Sequence, residues 1–152
     1  MSRIVVFGAG GRGGRAAVEE SRRRGHRVTA VVRDPAKYAD LTTDGGDVVV
    51  GDVTDPLAVG EVVAGHDAVI RSVQDPEARP EVFFPAVATA LVDGLRMAGV
   101  RRPITVGLAS LLPTESGELL MDAPGCPQEY RSFVLAPGAG VDVLRSADAG
   151  LD

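Results

Sequence analysis

Five glycines, Gly8, Gly10, Gly11, Gly13 and Gly14, fall in the stretch GAGGRGG, with Arg12 among them. Gly8, Gly10 and Gly13 satisfy G-x-G-x-x-G, while Gly8, Gly11 and Gly14 satisfy G-x-x-G-x-x-G. Either spacing lets the chain turn tightly and brings bare main chain against a diphosphate with no Cβ in the way. The five glycines and Arg12 are therefore the candidate phosphate-binding residues. A P-loop is excluded, because Gly14 stands where that motif needs lysine. About 20 residues further on, where a dinucleotide fold selects its cofactor, stands Arg33, with Lys37 one helical turn beyond. An arginine there accommodates the 2′-phosphate of NADP, whereas an acidic residue binds the ribose of NAD. Arg33 favours NADP; Asp34 beside it leaves NAD open.

Such a turn works only between a buried strand and a helix. Residues 4–7 (IVVF) form a short apolar run suited to a strand covered on both faces. A helical pattern follows from about Arg12 to Arg24, with Gly14, Ala17, Val18 and Ser21 on one narrow face and Gly25 as its stop. The helix N-terminus offers free N–H groups and partial positive charge to phosphates. Residues 28–32 (VTAVV) make a second strand, and a crossover of this length implies a parallel, right-handed βαβ unit. Asp34-Pro35 and Asp55-Pro56 each read as an N-cap and N1 pair opening a short helix.

Residues 47–50 (DVVV) and a run within 67–73 (AVIRSV) supply the third and fourth strands. Arg71 is unusual in a strand buried on both faces: it lies at the carboxyl mouth or pairs with a carboxylate. A helix with Pro85 in its first turn and Ala88, Leu91, Val92 and Leu95 as core leads to Gly99, and residues 103–107 form the fifth strand. Past Pro113 the pattern weakens. Residues 115–118 and 122–127 read as loop; 129–136 reads as a helix broken at 137–140 and restarting at 141–147. The alternation predicts an α/β, Rossmann-like doubly wound parallel sheet of order 3-2-1-4-5 in three αβα layers. It would be a single domain over 1–152, with a well-patterned core at 1–112 and an irregular, partly helical segment at 113–152. Ligands in such sheets bind beyond the strand carboxyl ends, where Arg33, Asp52, Ser72 and Ser110 fall.

Composition narrows the partners. The 152 residues carry a net charge of −5, which does not favour nucleic acid. The basic run Arg22-Arg23-Arg24 suits a helix carboxyl end. A single cysteine, Cys126, and two histidines, His26 and His66, have no ligand-like spacing, so no metal site is expected. No apolar stretch reaches membrane-spanning length, and no leader precedes the first strand, so a cytoplasmic protein acting on a small molecule is expected.

These segments together carry a family likeness. Through IVVFGAGGRGG, VTAVVRDPAK, VVVGDVTDP, HDAVIRSV, AGVRRPITVGLASL and FPAVATALVDGLRMAG, the chain resembles the NmrA-like, NAD(P)H-binding group of atypical short-chain dehydrogenases/reductases, which includes flavin reductases of the biliverdin-reductase-B type. The resemblance implies that the glycine turn holds the pyrophosphate and that Arg33 and Lys37 meet the 2′-phosphate. It places Asp52 and Val53 beside the adenine, Ser72 and Val73 along the ribose and nicotinamide, and Ser110 facing the nicotinamide. It implies hydride transfer from NADPH to a small acceptor such as a quinone or flavin, or, alternatively, a non-catalytic NADP-binding sensor.

Two departures bear on this. The family's usual threonine or serine is replaced by Gly10, and Tyr130 has Val134, not lysine, four residues later, leaving its hydroxyl a poor acid–base group near neutral pH. Tyr130 and Ser110 are the catalytic candidates. Family members also continue with a further strand and helix. The sequence stops at Asp152, which reads either as truncation or as a sheet completed by association into a homodimer.

Overall fold

The computed structural model describes residues 1–147 and 150–152. Strands β1 (Arg3–Phe7), β2 (Arg27–Val32), β3 (Asp47–Val50), β4 (Ala68–Arg71) and β5 (Pro103–Thr105) alternate with helices α1 (Arg12–Arg23), α2 (Pro56–Val63) and α3 (Pro80–Ala98). A further helix, α4 (Arg131–Ser146), follows a run of short 3-10 turns. The sheet order is β3-β2-β1-β4-β5, and every neighbouring pair is parallel. The chain steps outward from β1 to β3 and returns on the other side of β1. The switch point therefore lies between the carboxyl ends of β1 and β4, as the alternation of elements predicts.

Side chains alternate across the sheet and divide the core in two. Val5, Phe7, Val31 and Val69 face α2 and α3, where Val59, Val63, Leu91 and Leu95 meet them. Ile4, Val6, Val28, Ala30 and Val32 face the other way, toward Val18 of α1. Each fully buried aliphatic or phenyl side chain contributes about 1.5–3 kcal/mol, so β1, buried from Ile4 to Phe7, is the best-anchored strand. Both expected aspartate caps form. Asp55 accepts from the Leu57 N–H at 2.9 Å to open α2, and Asp34 accepts from the Ala36 N–H at 3.2 Å to open a 3-10 helix over Pro35–Gly45.

Three local expectations change. The fifth strand ends at Thr105 rather than at residue 107. Pro85 lies inside α3, because Arg79 caps that helix and Pro80 takes the tolerated N1 place. The break expected at 137–140 is absent: α4 runs unbroken through Pro137 and Gly138. Tertiary packing overrides the local preference there. Pro137 and Gly140 are buried, and a Cβ on Gly140 would stand 2.9 Å from the Phe84 carbonyl of α3. Contact with α3 offsets the one backbone hydrogen bond a proline removes.

Candidate functional site

The turn from β1 into α1 is shaped by contacts that only glycine permits. Gly8 has φ +77, in the left-handed region, and a Cβ there would lie 2.1 Å from the Ser72 carbonyl oxygen at the end of β4. At Gly14 a Cβ would fall 2.0 Å from the Gly8 carbonyl oxygen, so helix and strand touch backbone to backbone. Gly13 lies under the Ser72 hydroxyl, with Oγ 2.5 Å from its would-be Cβ, and Gly10 lies under the ring of Tyr38. Gly11 alone of the five is unconfined: its Cβ would meet only the Gly8 oxygen, at 3.5 Å. Main-chain steric need thus falls on Gly8 and Gly14, whereas Gly10 and Gly13 face side chains, Tyr38 and Ser72, that can shift.

The same turn leaves donors open. Gly11 is the N-cap of α1 and makes no side-chain cap hydrogen bond; the first helical bond runs from the Arg15 N–H to the Gly11 carbonyl at 2.8 Å. The amides of Arg12, Gly13 and Gly14 therefore have no helical acceptor. The first turn holds no acid and carries Arg12 and Arg15, against the preference of the helix dipole. An end so built is electropositive and suited to an anion. These residues fit a dinucleotide diphosphate.

The other predicted residues follow the ends of β2, β3 and β4. Ser72 and Val73 touch Gly8 from the β4 side, and the Ser72 N–H donates to the Phe7 carbonyl at 3.0 Å, tying the two strand ends together. Arg33, at the tip of β2, is largely exposed and donates through Nη1 to Asp75 Oδ2 at 2.9 Å. Asp75 belongs to the loop after β4, so this ion pair spans from β2 to β4 across the end of β1. Lys37 is exposed, with Nζ 3.9 Å from Asp34 Oδ2. Asp52 accepts from the hydroxyl of Thr54 at 2.6 Å and from its N–H at 2.8 Å. Those bonds, with the positive field of Arg33, hold its carboxyl below the usual aspartate range. Val53 is half-buried against the core.

The catalytic candidates are less closely tied to the turn. Ser110 is half-buried in the 3-10 turn after β5, and Tyr130 is 57 % exposed immediately before α4, with Val134 one turn on. Arg71 is 2 % exposed and faces the α3 side beside Phe7; its Nε and Nη1 have no partner among the described residues. Burial pushes its pKa down. A groove lined by Thr29, Asp47, Glu61 and His66 lies toward the opposite ends of β2 and β3 and takes no part in this site.

Sequence reasoning missed Tyr38, Arg15, Asp40 and Asp75. No spacing rule links the ring of Tyr38 to Gly10, or Asp75 to Arg33, because both contacts join segments that only the sheet order brings together. The turn-forming Asp75-Pro76 pair was the one available signal; Asp75 Oδ1 accepts from the Glu77 N–H at 3.0 Å.

A nucleotide-binding α/β protein with its cradle at the first β-to-α turn is the class that this fold and site define. The chain belongs to the NAD(P)H-binding family, whose model matches residues 8–130. It is 28% identical over 149 residues to the protein YwnB of Bacillus subtilis, over 97% of this chain and 67% of that one. A proposed exported protein of Burkholderia pseudomallei superposes with a TM-score of 0.82 at 34% identity, over 98% of this chain and 68% of its own. A proposed NADH-flavin reductase of Streptococcus pneumoniae gives 0.79 at 25% identity, over 100% and 69%. The chain thus spans about two thirds of the length of these relatives. Among the described residues no helix is long and apolar enough to cross a membrane.

Proposed function

We propose that this chain is an NADPH-dependent oxidoreductase of the atypical short-chain type, passing hydride to a small acceptor such as a quinone or flavin. The observation that carries the reading is the electropositive end of α1, with its open amides against a main-chain cradle closed by Gly8 and Gly14. The amides of Arg12, Gly13 and Gly14 hold the diphosphate. Arg33, with Lys37 nearby, takes the 2′-phosphate, and Asp52 and Val53 border the adenine. NADP is favoured over NAD because the acid beside Arg33 is otherwise engaged: Asp34 caps the 3-10 helix and faces Lys37. Ser72 and Val73 line the nicotinamide side, and Ser110 orients the acceptor or the carboxamide. When bound, the nicotinamide supplies the hydride, so the protein needs no nucleophile. The description of the Streptococcus relative supports a flavin among the acceptors. A cytoplasmic setting accords with this chemistry.

A second reading is a cofactor sensor without turnover. It is favoured by Tyr130, which is exposed and has no lysine neighbour at position 134. The two separate in one assay: NADPH consumption followed at the nicotinamide absorbance band with menadione or FMN as acceptor. Steady consumption, abolished by Arg33→Glu, supports the oxidoreductase. Similar affinity for NADP+ and NADPH with no consumption supports the sensor.

A further inference from the structure

Tyr38 reaches the glycine turn from the 3-10 helix after β2. An ideal Cβ on Gly10 would lie 2.5 Å from Cζ of that ring, 2.6 Å from Cε1 and 2.8 Å from Cε2. The far, hydroxyl-bearing end of the ring therefore fills the volume that a side chain at residue 10 would take. Arg15 holds it there. The guanidinium lies 5.6 Å from the ring centroid, Nε donates to the Gly10 carbonyl at 3.3 Å, and Nη1 pairs with Asp40 at 2.5 Å. Tyr38 is partly buried and packs on the α1-side core. Among the described residues the hydroxyl has no hydrogen-bond partner.

We infer that the Tyr38 hydroxyl is a further phosphate donor of the cradle, supplied from a neighbouring element in place of a side chain on residue 10. The inference rests on the cofactor reading above. A phenol held by core packing on one side and a guanidinium on the other loses little freedom on meeting an anion. The ring end meets the turn at Gly10, one residue before the N-cap of α1, and a hydroxyl donating to a phosphate oxygen makes a charge-assisted bond. The diphosphate is common to NADPH and NADH, so Tyr38 acts on both cofactors alike, whereas Arg33 acts on the 2′-phosphate of one.

The test is calorimetric titration of wild type, Tyr38→Phe, Tyr38→Ala and the double variant Gly10→Ser/Tyr38→Ala with NADPH and with NADH. Thermal unfolding of each variant checks the fold. The expected result is that Tyr38→Phe keeps its melting temperature and weakens both cofactors about tenfold, the worth of one charged hydrogen bond. Gly10→Ser/Tyr38→Ala, with a hydroxyl in the vacated space, recovers part of what Tyr38→Ala loses. Inorganic pyrophosphate is the probe for a contact independent of the nicotinamide. Because the chain has no tryptophan and only two tyrosines, a near-ultraviolet tyrosine difference signal on adding it, lost in Tyr38→Phe, is expected. Unchanged affinity in Tyr38→Phe overturns the inference, as does tighter binding by Tyr38→Ala, which would make the ring an obstruction. Failure of wild type to bind either nucleotide would instead remove the cofactor reading beneath it.

Discussion

Gly14→Ala tests the close approach of α1 to β1. In a free helix the change is favourable by about 1 kcal/mol. Here the new Cβ would lie 2.0 Å from the Gly8 carbonyl oxygen and 2.6 Å from its carbon, both main-chain atoms. A carbon–oxygen contact settles at about 3.3 Å, so the helix must retreat by roughly 1 Å. Overpacking of this kind costs about 1–3 kcal/mol, and more where backbone moves. A net loss of about 2 kcal/mol is expected, a fall in Tm of about 4–8 °C for a chain of this length. Affinity for NADPH should fall with it, because the displaced helix carries the amides. Gly11→Ser is the matched control. It has room at 3.5 Å, and serine is a good N-cap, so stability should hold or rise slightly. Its hydroxyl nevertheless claims an amide of the first turn, and NADPH binding should weaken. Thermal unfolding and calorimetric titration of both variants read these outcomes. A Gly14→Ala protein as stable as wild type would refute the argument.

Four further outcomes follow from named contacts. Arg33→Ala removes a charged hydrogen bond worth about 1.5–3 kcal/mol, so NADPH should weaken more than tenfold with little change for NADH, as measured by parallel titrations. Asp75→Asn frees Arg33 from an exposed ion pair worth at most about 1 kcal/mol, so NADPH should tighten up to about fivefold; weaker binding would contradict the competition. Arg71→Met replaces a buried guanidinium whose Nε and Nη1 have no partner among the described residues, and the apo protein should gain about 1–3 kcal/mol, read as a higher Tm; a lower Tm would show that the charge is compensated. Arg23 and Arg24 hold the Glu20 carboxyl at about 2, below its ordinary 4.5. The folded pKa is depressed, so this stabilisation is complete above 4.5 and fades as the pH falls toward 2. The Tm difference between wild type and Glu20→Gln should shrink over that window.

The central sheet could be read from sequence because its signals are local. The runs at 4–7 and 28–32 are apolar, bounded by turn residues and joined by one amphipathic helix, and the Asp-Pro pairs announce their own caps. Where tertiary contacts decide, local signals failed. Pro137 and Gly138 look like a helix break, yet packing on α3 carries α4 through them. The site divides in the same way. The glycines, Arg33 and Ser72 follow from position at strand ends. The ring over Gly10 and the carboxylate on Arg33 arise from contacts between segments far apart in sequence, whose pairing is set by the order β3-β2-β1-β4-β5.

The most direct trial of the account is calorimetric titration of the wild-type protein with NADP+. The open amides of α1 and the guanidinium at the tip of β2 predict saturable binding to one site per chain, weakened by added salt because both contacts are to phosphates. Absence of binding heat up to about millimolar nucleotide, the weakest affinity worth calling specific, would contradict it.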